Sequence, residues 1–340
     1  MRIAIRADSS PTTGTGHVMR CLTLSEELLA KGHAVALYTS EIRVPWLHNR
    51  IAELELEVNY VEESSLSIEQ FSSFDPDWVV VDSYVISSSE ISNLRNEFKT
   101  LVIIDSGTRG ISADIFLDQN FNSEKQDWPE DATSKILAGS KYSLIRDQIL
   151  STRRPEPWRF EHPTPNILCV MGGSDPSGTI IPLSEALNKL TLDFTATIVC
   201  TPQWRKEVSE VISTNSRVNI VEPTSEIGLL FAEADLVVSA AGSSAWEICT
   251  LGIPSLLIAV ADNQQLPLEQ INKAKLALTL DRLVINQEFF IPKITESLEL
   301  LLHDESLRKD LSANSMKYFD GKGKNRVVQA LMSHVQLPSV

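Results

Sequence analysis

The sequence predicts an α/β protein of two Rossmann-like domains whose parallel sheets face a cleft. Three observations predict it. Short apolar runs alternate with stretches of helical periodicity from end to end, the pattern of strand–helix–strand units. A proline-rich segment, residues 151–165 with Pro155, Pro157, Pro163 and Pro165, interrupts that alternation and reads as an interdomain linker. The alternation then restarts behind its own glycine-rich turn, and 340 residues exceed what one hydrophobic core comfortably organises. The expected domains are 1–152 and 163–340, with the last helix a candidate to pack back on the first domain.

In the first half the strand-like runs are 3–5, 34–38, 78–81, 101–104 and 115–117. Between the first two, Val18, Cys21, Leu22, Leu28 and Leu29 recur at helical spacing, and Gly32 supplies a helix C-terminus. The second half offers runs at 167–171, 195–199, 218–221, 236–239 and 255–258, then a mostly helical stretch over 294–335. Ligands bind such sheets at the C-terminal ends of their strands, and clefts between domains are favoured places for them.

Bulk properties narrow the function classes. A formal charge of −15 argues against non-specific nucleic-acid binding, which needs a positive surface. It leaves room for an anionic small molecule at a helix N-terminus, where backbone N–H groups make a local positive field. Cys21, Cys169, Cys200 and Cys249 are far apart and lie mostly in apolar runs, so they read as buried thiols of a reducing compartment and not as zinc ligands. No apolar run approaches a membrane span, and the N-terminus reads as a strand. A cytoplasmic, monomeric protein is the expectation.

The most informative stretch is Gly14-Thr-Gly-His-Val-Met-Arg20, between the first strand and the first helix. Gly14 and Gly16 suit a tight turn, but a turn does not account for His17. Imidazole exchanges protons near neutral pH, and a helix N-terminus disfavours its charged form, so His17 is the candidate general base. This is no dinucleotide fingerprint, because Met19 stands where the third glycine belongs.

Two turns of the second half present backbone donors to a phosphate. One is Met171-Gly-Gly-Ser-Asp-Pro176, whose Pro176 suits a first helical turn. The other is Ala241-Gly-Ser-Ser-Ala-Trp-Glu247. Ser244 and Glu247 also read as a capping box, which would satisfy the helix end without a ligand. The segment 262–265 adds amides, and Asp82-Ser-Tyr84 and Asp105-Ser-Gly107 end strands of the first half. Asp75-Pro-Asp77 precedes its strand and reads as a turn.

Together these segments resemble one family, the UDP-sugar hydrolases of pseudaminic-acid biosynthesis. The resemblance runs in order through Arg6-Ala-Asp-Ser-Ser10, the His17 loop, Val81-Asp-Ser-Tyr84, Leu117-Asp-Gln-Asn120, Gly139-Ser-Lys-Tyr-Ser-Leu-Ile-Arg146, the two turns above and Ala261-Asp-Asn-Gln264. It implies the two-domain glycosyltransferase-like fold called GT-B and a hydrolase that needs neither metal nor cofactor. Water would replace UDP at the anomeric carbon of UDP-2,4-diacetamido-2,4,6-trideoxy-β-L-altropyranose, with inversion.

Carried over by position, the resemblance makes His17 and Tyr84 catalytic and gives the sugar Gly14, Gly16, Arg20, Asp105 and Asn120. It gives the nucleotide Tyr142, Gly172, Gly173, Ser174, Ser243, Ser244, Glu247, Asn263 and Gln264. The chain departs from the family at Asp105-Ser106, where members often carry two adjacent aspartates. An inverting glycosyltransferase on the same scaffold, with His17 deprotonating an acceptor hydroxyl, is the alternative.

Overall fold

A computed structural model describes residues 1–9, 14–42, 44–105, 107–128, 133–173 and 175–335. The chain divides into two compact units, Met1–Ile145 with Gly321–Val340, and Arg146–Asp320.

The first unit runs β1 (Arg2–Ala7), α1 (Gly16–Ala30), β2 (Ala34–Thr39), α2 (Pro45–Glu53), β3 (Glu57–Tyr60), β4 (Trp78–Asp82), α3 (Ser88–Leu94), β5 (Lys99–Ile103), β6 (Ile115–Asp118) and β7 (Lys135–Ala138). Its described strands form a parallel sheet in the order β3-β2-β1-β4-β5-β6-β7. The central strands are covered on both faces, so they read as nearly unbroken apolar runs; Ile5, for example, lies between Leu37 and Val80.

The second unit runs α4 (Asp147–Leu150), β8 (Asn166–Val170), α5 (Ile180–Lys189), β9 (Thr195–Val199), α6 (Arg205–Ile212), β10 (Val218–Val221), α7 (Ile227–Glu233), β11 (Leu236–Ala240), α8 (Ser244–Leu251), β12 (Ser255–Ala259), α9 (Gln265–Lys273), β13 (Leu278–Asp281), α10 (Gln287–His303) and α11 (Glu305–Tyr318). Its strand order is β10-β9-β8-β11-β12-β13, again parallel. The chain then returns to the first unit as α12 (Gly323–Val335), whose Val327, Val328 and Leu331 share a core with Val18 and Leu22 of α1. Lys324 pairs with Glu26 at 3.3 Å, and Gly323 lies so close to the Ser143 backbone that a Cβ has no room.

Two expectations need correction. Strands β3, β7 and β13 were not anticipated, because each is an edge strand with partly exposed residues and no continuous apolar run. The proline-rich segment is not a free linker. It is part of the second unit, where the Glu161 backbone N–H donates to Asp235 at 3.0 Å and the Arg308 guanidinium lies 3.9 Å from the centre of the Phe160 ring. Backbone and cation–ring contacts of this kind leave no periodic trace in a sequence.

All four cysteines are buried and unpaired, and burial pushes the Cys249 thiol up to about 12. Among the described residues no helix is long and apolar enough to cross a membrane.

Candidate active site

Both sheets wind outward from a central strand in one direction and then the other. The reversal falls between β1 and β4 in the first unit and between β8 and β11 in the second. Ligands of open α/β sheets bind beyond the strand ends at such points. Most of the residues singled out in the sequence fall at these two places. A larger groove of about 660 Å³ touches Asn166, Thr195 and Val218, the first residues of β8, β9 and β10, and therefore lies at the opposite edge of its sheet.

In the first unit, Gly14 adopts φ 74°, a left-handed conformation that suits glycine, and Gly16 opens α1. His17 thus lies in the first turn of that helix. Its Nδ1 is 2.5 Å from Oδ1 of Asp82, the last residue of β4. Burial alone would raise the pKa of Asp82, but the charges of Arg20 and His17 and their hydrogen bonds hold it well below the usual carboxylate range. An ionised Asp82 needs a proton on Nδ1 of the neutral ring, which leaves Nε2 as the acceptor.

Arg20 stands one helical turn beyond His17. Its Nε and Nη2 reach Asp82 at 2.5 and 2.7 Å, and its Nη1 and Nη2 reach the two oxygens of Asp105 at 2.9 Å each. Asp105 also accepts from Asn120 Nδ2 at 2.9 Å and from the Tyr84 hydroxyl. Burial and the charge of Asp105 push the Tyr84 pKa up, so the phenol stays protonated and donates. The Tyr84 ring meets His17 edge-on with centroids 4.6 Å apart.

Arg20, Asp105 and Asn120, expected as sugar contacts, bond to protein groups. They are partners of one another, and together they fix Asp82 and Tyr84. The physical reason is burial: a guanidinium that is 8% exposed requires carboxylates around it. Ser106 lies outside the described residues. His17, Asp82, Ser83, Tyr84 and Val85, with Asp8 and Glu63, line a cavity of about 20 Å³.

In the second unit, Gly172 and Gly173 follow β8, with Gly172 at φ 74°; Ser174 lies outside the described residues. Pro176 is not in a first helical turn, since α5 starts at Ile180. Asp175 caps that helix instead, accepting the N–H groups of Thr179 and Ile180 at 3.0 Å each, while burial raises its own pKa. Ser243 and Ser244 open α8 behind β11.

The capping box is absent. The Ser243 side chain makes no cap bond, and Glu247 receives Arg146 Nε and Nη2 at 2.7 Å each. A carboxylate that is 7% exposed is better matched by a guanidinium than by a neutral N–H. Gln264 approaches Gly242 and accepts the Val260 N–H at 2.9 Å, with Asn263 beside it in the same short turn. Tyr142, expected at the nucleotide, belongs to the first unit and packs against its core.

Sequence reasoning missed three parts of these sites. Asp82 was seen only as a strand end, although it is the partner of His17. Arg6 and Asp8 carry the resemblance without a role of their own, yet charged residues at the end of an apolar strand are themselves a signal. Arg282 follows the unanticipated β13 and donates to Ser177 Oγ at 3.3 Å.

Residues 167–327 match the glycosyltransferase family 28 C-terminal domain. An uncharacterised protein of Methanocaldococcus jannaschii is 25% identical over 269 residues, which are 76% of this chain and 55% of that protein, so the match spans about half of the relative's length. The spore coat polysaccharide biosynthesis protein SpsG of Bacillus subtilis is 20% identical over 97% of this chain and 98% of its own.

Among solved structures, MurG of Acinetobacter baumannii superimposes with a TM-score of 0.71 at 13% identity, over 98% of this chain and 99% of that one. The UDP-GlcNAc 2-epimerase of Neisseria meningitidis, solved bound to UDP-GlcNAc, gives 0.68 at 12% identity, over 98% and 100%. The fold is that of the GT-B glycosyltransferases, two parallel-sheet α/β domains.

Proposed function

We propose that the protein is a UDP-sugar hydrolase. In this reading it cleaves the anomeric C–O bond of a UDP-linked 2,4-diacetamido-2,4,6-trideoxy sugar, in the synthesis of nonulosonic acids such as pseudaminic acid. The observation that carries the reading is the His17–Asp82 pair beside a cavity of about 20 Å³. A space of that size holds one water, for which roughly 10–15 Å³ suffices. Nδ1 is occupied by Asp82, so Nε2 takes the proton of the attacking water.

The water oxygen bonds to the anomeric carbon as the carbon–oxygen bond to the diphosphate breaks. The bonding electron pair leaves with UDP. Attack opposite the leaving group inverts the anomeric centre, and no carboxylate nucleophile is required. The nucleotide falls to the second unit, where the N–H groups of the turns at Gly172 and Gly242 suit a diphosphate. Glu247, held by Arg146, would accept the ribose hydroxyls with its remaining lone pairs. Ser243, Ser244, Asn263 and Gln264 border those turns and complete the assignment.

A glycosyltransferase is the second reading, favoured by the family 28 match of residues 167–327. There His17 deprotonates an acceptor hydroxyl in place of water. The two separate when purified protein is given UDP-2,4-diacetamido-2,4,6-trideoxy-β-L-altropyranose without any acceptor. One UDP released per sugar, with an inverted free sugar in the proton NMR spectrum, supports hydrolysis. UDP that appears only after a hydroxyl acceptor is added establishes transfer and removes the hydrolase reading.

A further inference from the structure

Asp8 stands just beyond β1, on the strand end beside which the winding of the first sheet reverses. It is 7% exposed. Its Oδ1 is ion-paired with Arg6 Nη1 and accepts the Ser40 backbone N–H, each at 2.7 Å. Its Oδ2 is buried and has no hydrogen-bond partner among the described residues. Buried polar atoms are almost always paired, so a carboxylate oxygen with no donor among the described residues is open to a water. Asp8 lines the same small cavity as His17.

Arg6 holds Asp8 from behind. It is fully buried, and its Nε and Nη2 also donate to the backbone oxygens of Ser65 and Glu62 at 3.2 Å each, bracing the segment that carries Glu63. Burial works to raise the pKa of Asp8, but the guanidinium of Arg6 and the Ser40 N–H more than offset it and keep the group an ionised acceptor. The arrangement parallels Arg20 and Asp82. One arginine fixes the carboxylate that orients the base, and a second fixes a carboxylate with an oxygen to spare.

We infer that Asp8 is the second acceptor of the attacking water and positions it for His17. One O–H of the water donates to Asp8 Oδ2 and the other to His17 Nε2, which leaves a lone pair of the oxygen for the anomeric carbon. The proton facing His17 is transferred as the new carbon–oxygen bond forms and the bond to the diphosphate breaks. The hydrogen facing Asp8 stays on the oxygen and becomes that of the new anomeric hydroxyl. Asp8 Oδ2 and His17 Nε2 supply one acceptor for each hydrogen of a water. An alcohol has one, so the pair favours water over a hydroxyl acceptor. The inference rests on the hydrolase reading above and names the residue that enforces it.

The test compares wild type with Asp8→Asn on the UDP-diacetamido sugar, in buffer with methanol as a competing nucleophile. UDP release gives the rate, and proton NMR gives the ratio of methyl glycoside to free sugar. The variant is expected to lose kcat by ~10-fold or more with KM little changed. Its share of methyl glycoside should rise, a partition that loss of structure alone would not move. A wild type that releases no UDP in acceptor-free buffer overturns the hydrolase reading. A wild type that hydrolyses beside a variant with unchanged kcat and partition overturns the role of Asp8 alone.

Asparagine also leaves Arg6 without its counter-charge, so a second measurement stands apart from the variant's folding. A high-resolution crystal structure of the wild type with UDP is expected to show one water bonded to both Asp8 Oδ2 and His17 Nε2. A protein side chain on that oxygen, or a water held by only one of the two, overturns the inference.

Discussion

At corresponding positions on similar sheets, the two units present different chemistry. Where the first sheet reverses, the strand ends carry charge: Arg6 with Asp8, and Arg20 with Asp82 and Asp105 around His17. Where the second sheet reverses, they carry small residues, Gly172 and Gly173 after β8 and Gly242 and Ser243 after β11. On the proposed reading each unit has its own task, and the difference matches what each requires. Moving a proton needs an ionisable group held in one tautomer by fixed charges. Holding a diphosphate needs backbone donors and a helix end, and carboxylates turned toward the ligand would repel it.

The sharpest way to break this contrast is His17→Ala. Turnover should fall by at least ~10², the range of a positioned general base. UDP affinity measured by calorimetry should stay at the wild-type value, because the nucleotide is assigned to the second unit. A fall in UDP affinity that matches the fall in turnover would end the division of labour. The next effect is expected from Glu247→Ala, which strips Arg146 of its buried partner. Breaking such a pair costs about 3–5 kcal/mol, and denaturant titration should register it together with weaker UDP binding. Unchanged UDP affinity in a folded variant would remove Glu247 from the ribose.

How far the sequence could be read follows from the same contrast. Central strands such as β1, β4, β8 and β11 were legible because burial on both faces demands continuous apolar residues. Glycine turns and His17 were legible because strand–turn–helix junctions are local. The edge strands β3, β7 and β13 were not, since half-exposed residues leave no such run. Partnerships were the least legible. His17 and Asp82 stand 65 positions apart, and Arg146 and Glu247 101, so only the folded sheets bring each pair together. Glu247 shows how a local pattern misleads: capping-box spacing is present, but a buried guanidinium outcompetes a neutral backbone donor.

The smallest effect, and the one that compares the units most directly, comes with acid. In the first unit, Asp8, Asp82 and Asp105 all titrate below their ordinary values, because Arg6 and Arg20 offset the cost of their burial. Depressed carboxylates add stability that is complete above the unfolded value of about 3.9 and is lost as the pH falls toward the folded values. In the second unit Asp175 titrates above its ordinary value because of burial. Its sign is opposite: the ionised form is disfavoured in the fold, and that penalty disappears once the pH falls below about 4. Acidification therefore weakens the charged strand ends of the first unit while relieving one residue of the second. Amide hydrogen exchange between pH 6 and 3, corrected for the intrinsic rate, should show β1 and β4 losing protection before β8 and β11. Simultaneous loss would mean that the declining net negative charge governs both units alike, and the reverse order would mean that the arginine–aspartate clusters do not set the acid stability of the first.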